Sequence, residues 1–328
     1  MTVEFNSTEE ILFVLHGLNM TQKNKHIYFS CSLILYLFTI FVNLTLIFTI
    51  SLEKMLHDPM YLFICNLCIN GIYGASTFYP RILIDLLFDS HLITYSWCMT
   101  QAFGIYSYAF CEFTNLTVMA YDRYVAICKP LHYHSIMTIQ KVWTLILLSW
   151  LFSWLECSIG LVLTVRLPLC GTDIDKLYCS NWAVVKLSCI DTTPNNLYGF
   201  FLTFCQVSQT MLILISYVNI IKLCLHSRAR NKRFMQTCLP HLITVINFTV
   251  SIAFDSMYAR YGSNTSLLAL RNIMSVEYLV VPPLLNPIIY GMTLNQIRNR
   301  VGQIFRLLNC FLVLINHLSH FNILKVLP

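Results

Sequence analysis

The residues with chemistry to offer sit in apolar surroundings. Asp122 and Arg123 stand side by side at the end of the apolar run Phe103–Met119. A charged pair at that depth is costly in lipid, so it belongs at a membrane edge, facing protein or water. Asp122 can pair with its neighbour, and Arg123 can turn its donor fork elsewhere, a choice of partners that a two-state latch needs. The plainer reading is an interfacial anchor, since Arg and Tyr commonly end spanning helices, and Tyr124 follows directly. Glu112 lies deeper in the same run. It is a functional-site candidate by position, or else a neutral, hydrogen-bonded carboxyl.

Two proline sites add to this set. In Pro282–Tyr290 the prolines remove helix donors and leave carbonyls four residues back without partners. Within a membrane those carbonyls need partners from protein or water. Asn286, beside Pro287, is placed to supply one, and Tyr290 carries a hydroxyl one turn on. The stretch reads as a kinked helix, either a hinge or a static bend. Pro240 loosens the first turns of the preceding run. His241 beside it is a hydrogen-bonded packing residue or a proton switch. No nucleophile–base set and no metal-ligand spacing appears, so the chain does not read as an enzyme, and no cofactor or metal is implied.

Composition says what positions these groups. Charged residues are 11% of the 328 and hydrophobic ones 57%, where a soluble domain carries about 25% charged residues. This is a polytopic membrane protein, and the net charge of +6 is topological bias, not a nucleic-acid footprint. The runs His26–Ile50, Pro59–Leu87 (broken at Pro80), Trp97–Ile127, Val142–Val165, Asn196–Leu225, Thr237–Tyr258 and Ser266–Met292 each reach the ~20 residues a bilayer requires. The expected fold is all-α, a bundle of seven transmembrane helices. It divides into an extracellular segment 1–25, a receptor-like bundle 26–292, and a tail 293–328. Met1–Asn24 has early acids and a short apolar patch, Ile11–Leu15, so no cleavable signal is read there.

Lys and Arg favour the loops and tail that are cytoplasmic when the N-terminus is outside, most densely in the basic loop Arg228–Arg233. That cluster is a solvated anchor, with a negatively charged cytosolic partner as the second reading. The sequons at Asn6, Asn19 and Asn264 fall in outer segments, where glycans can be added; those at Asn43, Asn115 and Asn247 fall inside spans and are silent. Of 14 cysteines, Cys98, Cys170, Cys179 and Cys189 cluster outside. An even set there reads as two disulfides, with three pairings open; a zinc site is the weaker alternative, lacking close Cys-x-x-Cys pairs. The loop Arg166–Asn195 is long, and two crosslinks make it an ordered lid. After span seven, arginines alternate with Ile297, Val301, Ile304, Phe305 and Leu308, which predicts a short amphipathic helix on the inner leaflet. Cys310 beside it could take a palmitoyl group.

Together, Pro59-Met60-Tyr61, Met119–Tyr124, Cys128–Tyr133, Ser216-Tyr217, Thr237–Leu242, Pro283–Tyr290 and the three-cysteine loop resemble the olfactory receptors among the rhodopsin-like G-protein-coupled receptors. The resemblance runs from about Tyr28 to Phe305. The run Cys65–Gly71 with Tyr73-Gly74 looks like the branch found in fishes. The resemblance implies a small-molecule odorant as ligand and a stimulatory heterotrimeric G protein as partner, raising cyclic AMP, in the plasma membrane with the C-terminus cytoplasmic. It implies the pairs Cys98–Cys179 and Cys170–Cys189. It implies that Arg123 is the inner latch, that span six swings about Pro240, and that a G-protein helix enters beside Arg123, Tyr217 and Tyr290. The chain departs from the family in carrying Gly71 where an aspartate helps hold sodium, so Glu112 is expected to bond to Asn43 or Asn70 instead. It also has Thr249 in place of a span-six tyrosine.

An apolar pocket with a few polar groups is expected in the outer half of the bundle. Helical facing selects Ile105, Tyr106, Ala109 and Phe110 of span three, Phe201 and Cys205 of span five, and Ile252, Ala253 and Ser256 of span six. Tyr106 and Ser256 are the hydrogen-bonding handles. The outer half of span three has no acid, which argues against an amine clamped by a carboxylate. Span seven has no lysine, which excludes retinal held as a Schiff base. The competing readings are a receptor of the same fold for a non-olfactory ligand, and a transporter or channel, which inverted repeats would mark.

Overall fold

In lipid a backbone must pair within its own segment, so each long apolar run closes into a helix. The structure, a computed structural model, describes residues 11–16, 22–88, 90–224, 228–261 and 268–303. The helices are α1 (Gln22–Leu52), α2 (Pro59–Phe88), α3 (Tyr95–Cys128), α4 (Tyr133–Ile136), α5 (Ile139–Val165), α6 (Asn181–Val185), α7 (Thr193–Cys224), α8 (Arg228–Tyr261) and α9 (Leu268–Thr293). The seven predicted runs correspond to α1, α2, α3, α5, α7, α8 and α9.

Six of these are long and apolar enough to cross a membrane by length and composition. The exception is α3, 34 residues long, and it carries Gln101, Ser107, Glu112, Asn115, Asp122 and Arg123 as buried residues. The reason is position. α3 packs among α2, α5, α7 and α8, so protein rather than lipid covers it and polar side chains can find partners there. α1, α5 and α7 do the reverse, presenting Phe41, Phe48, Leu147, Leu155, Phe204 and Ile215 outward, a belt far larger than a water-facing surface tolerates.

Some expectations need correction. α2 is not broken at Pro80 but runs through it; a spanning helix tolerates proline when nearby groups re-satisfy the freed backbone. The basic run Arg228–Arg233 is not loop but the first turns of α8. The all-α expectation missed a small sheet in the order β2-β1-β3, with β1 (Leu12–Leu15) antiparallel to β2 (Leu92–Thr94) and parallel to β3 (Asp173–Ile174). Phe13, Leu15, Ile93 and Ile174 form its apolar underside, packed with Cys98 and Cys179. The patch Ile11–Leu15 therefore docks the start of the chain onto the disulfide end of the bundle.

Helix contacts tighten at glycine. A Cβ on Gly74 would run into the ring of Tyr108, a side chain fully buried and held by its own hydroxyl. Gly74→Ala should lower apparent stability by about 1–3 kcal/mol, as overpacked cores do. Thermal unfolding of purified protein checks this, and an unchanged midpoint would mean α2 and α3 are not so close.

Candidate functional site

A cavity of about 310 Å³ opens between α3, α5, α7, α8 and the loop that joins α5 to α7. Tyr106, Ala109 and Phe110 of α3 line it, as do Ile252, Ala253 and Ser256 of α8. Three predicted residues do not. Ile105 is fully buried in the main core. Phe201 is half exposed on the outside of α7, stacked on Tyr198. Cys205 stands behind the wall, its thiol beside Glu156. On α7 the lining residues include Gly199, Leu202, Thr203, Gln206 and Thr210. That face lies one residue, about 100° of helix, from the one chosen. Sequence reasoning also missed Glu156, Tyr198, Asp255 and Arg260 in the wall.

The loop over this cavity is tied down several times. Cys98 is bonded to Cys179, and Cys170 to Cys189. Lys176 Nζ reaches both carboxylate oxygens of Asp255 on α8, at 2.8 and 3.0 Å, with both side chains buried. The Tyr178 and Tyr278 hydroxyls bond to each other at 2.9 Å. Tyr106 donates to Ser180 Oγ at 3.3 Å, and Trp182 Nε1 to the Ala259 carbonyl at 3.1 Å. The segment between the disulfides is thus a roof bonded to α3, α8 and α9.

Below the cavity, Glu112 joins three helices. Asn70 of α2 donates to one carboxylate oxygen at 2.7 Å, and Asn286 of α9 to the other at 2.8 Å. Asn286 is therefore engaged with Glu112, not with a proline-freed carbonyl. Other residues do that work. Pro287 has no N–H for the Pro283 carbonyl, and Asn43 Nδ2 supplies one from α1 at 2.8 Å. Pro282 likewise frees the Tyr278 carbonyl, which accepts from Tyr108 at 3.0 Å. Gly71 fits the same place: a Cβ there would lie 3.2 Å from Asn43 Oδ1 and 3.4 Å from Pro283 Cα. With both Glu112 oxygens taken by amide donors and no second carboxylate at position 71, the residues suit a hydrogen-bond junction, not a sodium cage. Asn115 and Asn247, on sequon-like triplets, are likewise engaged, with Asn66 and Glu277.

At the far end, Arg123 pairs with Asp122, which also accepts from Tyr133 at 2.8 Å. Burial, with the nearby Asp122 carboxylate, holds the Tyr133 hydroxyl pKa above its usual range, so it stays a donor. Arg123 is nearly buried, under Met60, Ile64, Met119, His241, Tyr290 and Leu294. The Tyr217 hydroxyl meets His241 Nδ1 at 2.6 Å, linking α7 to α8. Tyr124 packs against the main core instead. Pro240 lies within the continuous helix α8. After α9 the chain is helical again over 295–303, with Ile297 buried and Gln296 accepting from Tyr61 at 2.6 Å. Asn6, Asn19, Asn264, Cys310 and residues 304–328 lie outside the described residues.

The fold is that of squid rhodopsin, with a TM-score of 0.71, coverage of 93% of this chain and 92% of that one, and 16% identity; this is the seven-helix bundle of the G-protein-coupled receptors. The olfactory receptor family model matches residues 31–307. Human olfactory receptor 4M1 is 35% identical over 309 residues, 91% of this chain and 96% of the relative. Human olfactory receptor 51G2 is 34% identical, over 92% and 96%, and rat olfactory receptor 1 is 34% identical, over the same shares. The chain belongs to the olfactory receptor family; it is a multi-pass membrane receptor and not an enzyme.

Removing one partner of a buried ion pair strands the other charge. Lys176→Ala should destabilise by about 3–5 kcal/mol, while Lys176→Met with Asp255→Leu should recover most of that. Thermal unfolding of the three proteins decides; an innocuous single variant would show that the roof does not rest on this pair.

Proposed function

We propose that this receptor binds a small odorant in the roofed cavity and passes the signal to a stimulatory heterotrimeric G protein, raising cyclic AMP. The disulfide end faces outside and the Arg123 end the cytosol. The oxidising compartment that disulfides require supports that orientation, as does the excess of Lys and Arg at the Arg123 end. It sets the protein in the plasma membrane with the C-terminus cytoplasmic, the helix 295–303 against the inner leaflet, and Asn6, Asn19 and Asn264 available to glycosylation. The run Cys65–Gly71 with Tyr73-Gly74 supports a place in the branch found in fishes.

The observation that carries the reading is the buried Arg123. Its guanidinium is held by a carboxylate that Tyr133 also holds, under a lid of α8 and α9 residues. Arg can exchange one acceptor set for another through the same rigid fork. An outward movement of the inner end of α8 about Pro240 would part Tyr217 from His241 and uncover Arg123. A G-protein helix would then enter beside Arg123, Tyr217 and Tyr290. Asn286 and Pro287 would carry the change from Glu112 to that end. Cells expressing the receptor should raise cyclic AMP in response to a member of a panel of water-borne odorants. Arg123→Ala should abolish the response while keeping surface expression, and Cys98→Ser should lose expression or response. A full response from the Arg123 variant would remove the latch.

A further inference from the structure

Among the described residues, three polar side chains in the cavity wall have no hydrogen-bonding partner beyond one cysteine thiol. Both carboxylate oxygens of Glu156, both amide atoms of Gln206 and the hydroxyl of Thr249 are buried and unmatched, and all three residues line the same space. Glu156 is 3% exposed, with only the weakly donating Cys205 thiol beside its carboxylate. Buried polar groups are otherwise nearly always satisfied, and a buried carboxylate requires a partner. Two cations near the cavity are engaged elsewhere. Lys176 bonds Asp255, and Arg260 lies over the Trp182 ring at 4.4 Å and the Phe200 ring at 5.3 Å.

We propose that the ligand is a small primary amine, its ammonium seated on the Glu156 carboxylate and its alkyl chain against Phe110, Phe113 and Ile252. An ammonium carries three N–H donors and no acceptor. Glu156, Gln206 Oε1 and Thr249 Oγ1 offer three acceptors. The rings of Tyr106, Phe110 and Tyr198 in the same wall suit a desolvated cation. The volume, about 310 Å³, is at the small end of the ~300–1,000 Å³ usual for such sites. The carboxylate comes from α5, so its absence from the outer half of α3 does not count against an amine.

This inference rests on the cavity being the ligand site. Full-length receptor in lipid nanodiscs is titrated with hexylamine and with 1-hexanol, reading thermal stabilisation. Hexylamine should bind the more tightly. Glu156→Gln should weaken hexylamine roughly a hundredfold or more, as loss of a buried charge partner does. Thr249→Val, which keeps the volume, should weaken it about fivefold. An unliganded melting midpoint close to that of the parent shows that each variant is folded. Equal binding of the amine and the alcohol, undiminished amine binding in folded Glu156→Gln, or no stabilisation by any primary amine from propylamine to octylamine overturns the proposal. If alcohols or esters raise cyclic AMP in that event, the odorant-receptor reading stands and only the amine assignment falls. If no odorant of any class does, the broader reading falls with it.

Discussion

A helix crossing lipid must find every polar partner inside the protein, and in this receptor α3 is where they are found. Its acid, Glu112, draws Asn70 and Asn286 to itself, so α2, α3 and α9 share one buried junction. One turn along α3, Tyr108 reaches the carbonyl that Pro282 leaves open; from α1, Asn43 reaches the one that Pro287 leaves open. Broken hydrogen bonds in α9 are thereby turned into bonds between helices. Buried hydrogen bonds to charged groups contribute more than neutral ones, and the expense of leaving such groups unmatched in lipid fixes the register of the bundle.

The two ends of α3 are held differently. Toward the disulfides, its first turn carries Cys98, and the roof descends onto it through Cys179 and Ser180. At the other end, Asp122, Arg123 and Tyr133 form a compact polar set, with His241 of α8 and Tyr290 of α9 beside Arg123. The cavity lies between the roof and the Glu112 junction. A change in how α8 sits against the cavity has a continuous physical route to Arg123, because Ser256, Thr249 and His241 lie on that one helix.

Much of this was legible in the sequence, and the parts that were not have definite reasons. Runs of ~20 apolar residues are imposed by bilayer thickness, so the seven spans could be placed to within a few residues at most ends. α3 is legible although it alone of the seven falls short of a spanning helix by composition. The facing of α7 was not legible, because Phe200, Phe201, Leu202 and Phe204 are apolar all round and give no phase. Only the structure shows that Gln206 and Thr203 turn inward while Phe201 meets lipid. The three-stranded sheet escaped notice because its strands are two to four residues long, too short for alternation to register. For Asn286 the sequence points to a proline-freed carbonyl, whereas its amide donates to Glu112. Sequence shows that Pro287 frees a carbonyl, not which of several nearby amides reaches it. Glu156 carries a signal in the sequence all the same: an acid inside the run Val142–Val165 is a site candidate on the same ground as Glu112.

The claim on which this account turns is that Glu112 and Asn286 act as one unit at the centre of the bundle. A double-mutant cycle on apparent stability, with Glu112→Ala, Asn286→Ala and both together, tests it directly. The account predicts a coupling of roughly 1–3 kcal/mol, as for partners in one buried network. Effects that add to within about 0.3 kcal/mol would contradict it.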